Sequence, residues 1–62
     1  MSKITFEVEI EESQAAALAQ FVKRAGFSDC RTNAVDEKEA YLMIYGLGAV
    51  REGLAAAGYS PR

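Results

Sequence analysis

The sequence predicts an α+β fold in which a small antiparallel sheet with an N-terminal strand is covered by two or three helices. Three observations predict it. Residues 4–10 alternate apolar and polar side chains, the period of a half-buried strand. In residues 14–25, Leu18, Phe21, Val22 and Ala25 fall at i, i+3, i+4 and i+7, one face of a helix. A capping signature at Asp36 then opens a long stretch of mostly helical spacing.

The strand is expected over residues 3–11. Ile4, Phe6, Val8 and Ile10 go to one face, and Thr5, Glu7, Glu9 and Glu11 to the other. A half-apolar strand of this kind suits a sheet with helices on one side. One strand cannot satisfy its own backbone donors and acceptors. Its partner is to be sought in residues 28–35, in residues 40–45, or in another copy of the chain.

The first helix is expected over residues 14–25. Ser13 is the expected N-cap, and Glu11 and Glu12 lie just outside it, toward the positive end of the helix dipole. Lys23 and Arg24 occupy the last turn. Gly26 follows as a left-handed C′ residue, with Phe27 placed to touch Val22. In residues 27–35, Ser28, Asp29 and Asn33 favour turns, and Cys30, Arg31 and Thr32 suit a short strand beside the first.

Asp36 with Glu39 three residues on resembles a capping box. Ala40, Met43, Ile44, Leu47, Val50, Leu54 and Ala57 continue at helical spacing. Gly46 and Gly48 interrupt the run, each costing about 1 kcal/mol against alanine, and are expected to split it into two shorter helices. Residues 40–45 also read as a buried strand ended by Gly46, with helix the preferred reading. Gly58 is the expected left-handed C′ residue, Tyr59 reaches Leu54, and Pro61 blocks continuation. The expected core is Ile4, Phe6, Val8, Ile10, Leu18, Phe21, Val22, Ile44, Leu47, Val50 and Leu54.

Sixty-two residues make a single domain, 1–62, of marginal stability. Seven basic against nine acidic residues give a net charge of −2. The basic residues form no stripe, so direct nucleic-acid binding is not expected. Cys30 is the single cysteine, which points to a reduced, cytosolic setting and to a half-buried structural thiol. The chain enters its strand at once, so no signal peptide is expected. No apolar run reaches the ~20 residues that span a bilayer, so no membrane role is expected.

Catalytic and metal signatures are missing from the sequence. There is no histidine, the commonest general base and a common metal ligand, and the lone thiol lacks its usual activating partner. The expectation is a non-enzymatic protein with no metal and no cofactor. Tyr41 and Tyr45, at i and i+4, suit either partial core packing or an interface anchor.

The carboxylates are the one constellation with functional weight. Glu7, Glu9, Glu11 and Glu12 form one group, and Asp36, Glu37 and Glu39 form another. Acids on an outer strand face and at a helix start also have ordinary structural reasons to be there. Alternate strand residues lie ~6.8 Å apart, about two base rises along one DNA strand. Such a row imitates a phosphate track, and it fits an Arg/Lys groove built for nucleic acid, toward which its charge steers it.

With ITFEVEI, ALAQFVKRAGFSD and AVDEKEAY in an acidic single domain, the chain resembles small proteins of phages and mobile elements. It is similar in particular to the anti-CRISPR proteins that block type I surveillance complexes. The resemblance lies in size, charge and overall look, and it transfers no functional residue. It implies a stoichiometric inhibitor in the bacterial host cytoplasm, acting as a DNA mimic. Its partner would be a protein with a basic groove, a subunit of a CRISPR effector complex, covered at the surface that reads the protospacer-adjacent motif or holds target DNA. The alternative is a homo-oligomeric interaction module without DNA mimicry, whose strand pairs across a dimer. A monomer is slightly favoured over a homodimer.

Overall fold

Three helices and a straight N-terminal arm make up residues 2–60, the part of the chain that the computed structural model describes. The helices are α1 (Glu12–Arg24), α2 (Phe27–Asn33) and α3 (Glu37–Ala56). No strand or sheet occurs among the described residues, so the expected α+β architecture is corrected to an all-helical one. The arm, residues 2–11, runs without helix, turn or bend. Its period-two pattern therefore marks two faces of an extended segment. The pairing partner expected within residues 28–35 or 40–45 is absent because both stretches are helical.

α1 starts two residues before its expected beginning. Glu11, not Ser13, is the N-cap, and its backbone N–H donates to Gln14 Oε1 at 3.0 Å. α2 replaces the expected turns. The Gly26 N–H donates to the Asp29 carboxylate at 2.9 Å. The Thr32 hydroxyl and the Asn33 amide donate to the carbonyls of Ser28 and Asp29, each at 2.9 Å. Gly26 is the N-cap of α2 with φ −114° and ψ −175°. It is therefore extended rather than left-handed, and the C′ role expected of it is not used.

α3 is one continuous helix, and neither the strand alternative at 40–45 nor a break at Gly46 or Gly48 is found. Asp36 caps it as expected, its carboxylate accepting from the Glu39 N–H at 2.8 Å. The Glu39 carboxylate reaches back one residue further, to the Val35 N–H at 3.0 Å. At the far end, Tyr59 N–H donates to Leu54 O at 2.8 Å and Gly58 N–H to Ala55 O at 3.0 Å. This is a Schellman closure, with Gly58 in the left-handed region at φ +99° as expected. The stop assigned to Pro61 lies outside the described residues.

α3 packs against both α1 and α2. The interior is made of small side chains: Ala15, Ala19, Val22, Cys30 and Ala40. Of the expected core, Val22 alone is buried. Ile44, Leu47 and Leu54 are half-buried, while Leu18, Phe21, Val50 and the whole arm are exposed. The face that α1 turns inward is Ala15–Ala19–Val22, rotated from the one that the larger residues predict. Small buried side chains let helices approach closely, and the bulkier Leu18 and Phe21 remain exposed. Cys30 is buried and free. The Cα radius of gyration is 12.5 Å, against about 10.5 Å for a compact chain of this length. The fold is open.

Candidate interaction surface

The openness has a definite place. An open concavity of about 1140 Å³ lies between the arm and the helices. Ile4, Phe6, Val8 and Ile10 line it from the arm, Leu18 and Phe21 from α1. Met43, Leu47, Val50 and Leu54 line it from α3. The apolar row of the arm faces the apolar sides of α1 and α3 without closing on them, and Thr5 and Glu9, expected on the opposite face, line the same concavity. Ile4 remains 83% exposed, and Phe6 and Val8 71%.

Large aliphatic and aromatic side chains left in water forgo ~1.5–3 kcal/mol each relative to burial. Contiguous apolar surface beyond a few hundred Å² on a soluble chain marks an interaction site. Gly46 and Gly53 also line the concavity. A Cβ built on either meets nothing within 4 Å, so no packing inside the single chain calls for glycine there, although each costs about 1 kcal/mol within a helix.

The carboxylates divide by role. Glu7, Glu9, Glu11 and Glu12 lie on the arm and at the α1 start, all exposed. Glu9 and Glu12 contribute to the lining of the concavity together with Thr5, whereas Glu7 and Glu11 do not. Asp36, Glu37 and Glu39 gather at the α3 start. There the side chains of Asp36 and Glu39 accept backbone N–H groups, the ordinary work of acids at a helix start. Glu37 is exposed in the same turn. Among the described residues no group of three or more His, Cys, Asp or Glu side chains is arranged to hold a metal ion. No helix among them is long and apolar enough to cross a membrane.

An aromatic ladder occupies another part of the surface. Phe27 and Tyr41 meet at 4.7 Å between ring centroids, and Tyr41 and Tyr45 at 6.3 Å. Sequence reasoning found the Tyr41–Tyr45 pair from its spacing and missed Phe27, having placed that ring against Val22. Sequence reasoning also missed the concavity, since it assigned the same residues to a closed core. The signal was present in the unanswered question of what pairs with the arm.

A family model described as "Family of unknown function (DUF7706)" matches residues 1–62. No curated protein matches the chain. No solved structure matches it either.

Proposed function

The chain belongs to the DUF7706 family, and we propose that it is a non-enzymatic interaction protein of the bacterial cytoplasm whose acidic arm binds a basic protein surface. One observation carries this reading. The arm is a straight segment on which Glu7, Glu9 and Glu11 are all exposed, Glu9 also lining the concavity beside the apolar residues. Carboxylates ~6.8 Å apart on such a segment present a spaced row of charge. A groove of Arg and Lys side chains that normally holds nucleic-acid phosphates has the complementary spacing and sign. Electrostatic attraction would act mainly on the rate of encounter and on the choice of partner.

Asp36 and Glu39 contribute less to this reading, because their carboxylates are committed to backbone N–H groups at the α3 start. The partner to test first is the one the resemblance implies, a type I CRISPR surveillance complex with a basic DNA-binding groove.

The test is direct. Purified protein is titrated against type I complexes, and target-DNA binding is measured with wild-type protein and with Glu7→Gln/Glu9→Gln/Glu11→Gln. Loss of DNA binding by the complex with wild type, and recovery with the neutralised variant, supports the reading. Equal competition by both removes the arm from the mechanism. Absence of wild-type binding to complexes of several subtypes removes the CRISPR partner.

A further inference from the structure

We propose that a second copy of this chain covers the concavity, the two arms pairing antiparallel with Phe6 opposite Phe6 of the second copy. This inference goes beyond the acidic-arm reading and stands without it. The pairing lies between chains and leaves each single chain all-helical.

The first support is the backbone of the arm. Among the described residues, no backbone group of residues 2–10 takes part in a backbone–backbone hydrogen bond. A straight segment with unpaired N–H and C=O groups is a template for another chain. An identical segment suits it best, because antiparallel pairing of like with like repeats every contact i to j as j to i. That closes a two-fold, isologous interface.

The second support is the amount of apolar surface. Ile4, Phe6, Val8, Ile10, Phe21 and Leu18 are all exposed on or beside one concavity. Together they form one contiguous exposed apolar lining, the kind of surface that an interface covers. The residues that the single chain does bury are alanines, one valine and one cysteine. Its larger hydrophobic residues are reserved for the assembled state. Space is available on α3 as well, where Gly46 and Gly53 present bare backbone to the concavity.

Charge and apolar pairing together select the register. Opposed residues must share a face, so registers differ by whole pairs. With Phe6 opposite Phe6, Ile4 meets Val8 on the apolar side, while Thr5 meets Glu7 and Lys3 meets Glu9 on the other. Opposite charges face each other twice, and no like charges are directly opposed. Sliding by one pair sets Glu7 against Glu7 of the second copy, which is repulsive. Sliding the other way leaves both Val8, against Ser2, and Ile10 without an apolar neighbour, whereas the Phe6–Phe6 register leaves only Ile10, against Ser2. The acidic row that looks unfavourable for self-association therefore excludes one neighbouring register, and apolar pairing excludes the other.

The experiment uses the full chain. Light scattering and sedimentation at micromolar concentration are expected to give twice the 6.7 kDa chain mass. Register is read by cysteine pairing on a Cys30→Ala background, since opposed Cα atoms ~4.5–5.5 Å apart fall within disulfide reach. Under oxidised glutathione, Phe6→Cys is expected to link to itself. Val8→Cys is expected to link only when mixed with Ile4→Cys. A helical protein that keeps a mass of 6.7 kDa over the whole concentration range overturns the proposal and leaves the concavity to a partner of another sequence. A dimer in which Val8→Cys links to itself and Phe6→Cys does not overturns the register. The wild-type mass is read with no other protein present, so a dimer that binds no type I complex fails only the acidic-arm reading, and a monomer that binds one fails only this proposal.

Discussion

Phe27 and Tyr41 pack ring to ring across the α2–α3 boundary, their centroids 4.7 Å apart and their planes tilted by 42°. α2 has only seven residues, too few to hold helical structure alone in water. It persists because it rests on α3, and this aromatic contact, with buried Cys30 on the same short helix, fastens it there. A double-mutant cycle of Phe27→Ala and Tyr41→Ala is expected to give a coupling of about 0.5–1.5 kcal/mol in urea unfolding. Additive losses from the two single changes would show that the rings do not support each other.

Asp36 makes the cap that starts α3. Asp36→Ala is expected to cost about 1 kcal/mol, and Asp36→Asn to cost little, because asparagine caps equally well. Thermal unfolding of the two variants checks this. Equal destabilisation by both would assign the effect to charge rather than to the hydrogen bond to the Glu39 N–H.

The two glycines that follow helices should respond differently to alanine. Gly58 has φ +99°, where a Cβ costs about 1–2 kcal/mol of backbone strain. Gly26 is extended, and a Cβ there meets nothing within 4 Å. Gly58→Ala is therefore expected to lower stability by at least about 1 kcal/mol. Gly26→Ala should stay within about 0.5 kcal/mol of wild type, the entropy gain in the unfolded chain offsetting a weaker N-cap. A larger loss at Gly26 than at Gly58 would reverse the assignment of helix stops.

These glycines show how far the sequence could be read. The signals Ala-Gly-Phe at 25–27 and Ala-Gly-Tyr at 57–59 look alike, yet one opens a helix and the other closes one. The difference is made by Asp29, whose carboxylate takes the Gly26 N–H and starts α2 immediately. α1 and the Asp36 cap were legible because their determinants lie within a few residues. The continuity of α3 through Gly46 and Gly48 was not legible, since the cost of those glycines is met by packing against α1 and α2. The arm was legible as two faces and misread as a sheet. Periodicity tells which side chains share a face, and it carries no information on which chain supplies the neighbour. Of the candidate site, the exposure of Glu7 and Glu11 away from the concavity follows from that alternation and the place of Glu9 in its lining does not, whereas the capping duties of Asp36 and Glu39 reflect helix-start chemistry.

Ionic strength offers a check on the acidic arm. Its side chains are exposed, so attraction to a basic partner is screened beyond ~8 Å at physiological salt. Raising salt is expected to slow association of the wild-type protein and to affect Glu7→Gln/Glu9→Gln/Glu11→Gln much less, as measured by surface-bound association kinetics. Parallel salt dependence for both proteins would place the steering charge elsewhere.

The glycines of α3 supply the sharpest test of what fills the concavity. Gly46 lines it and Gly48 does not, yet both sit in the same helix, and a Cβ at either meets nothing within 4 Å. Leucine at either position gains nearly the same helix propensity, about 1 kcal/mol over glycine, so the single chain should be stabilised equally by both. The two differ in what a second copy would meet. Gly46→Leu occupies space that the second copy needs, and it is expected to weaken dimerisation at least tenfold, about 1.4 kcal/mol. Gly48→Leu should leave the dimer mass and its dissociation constant unchanged. Sedimentation over a dilution series reads both. Indistinguishable dissociation constants for the two variants would mean that the second copy does not sit against this face of α3.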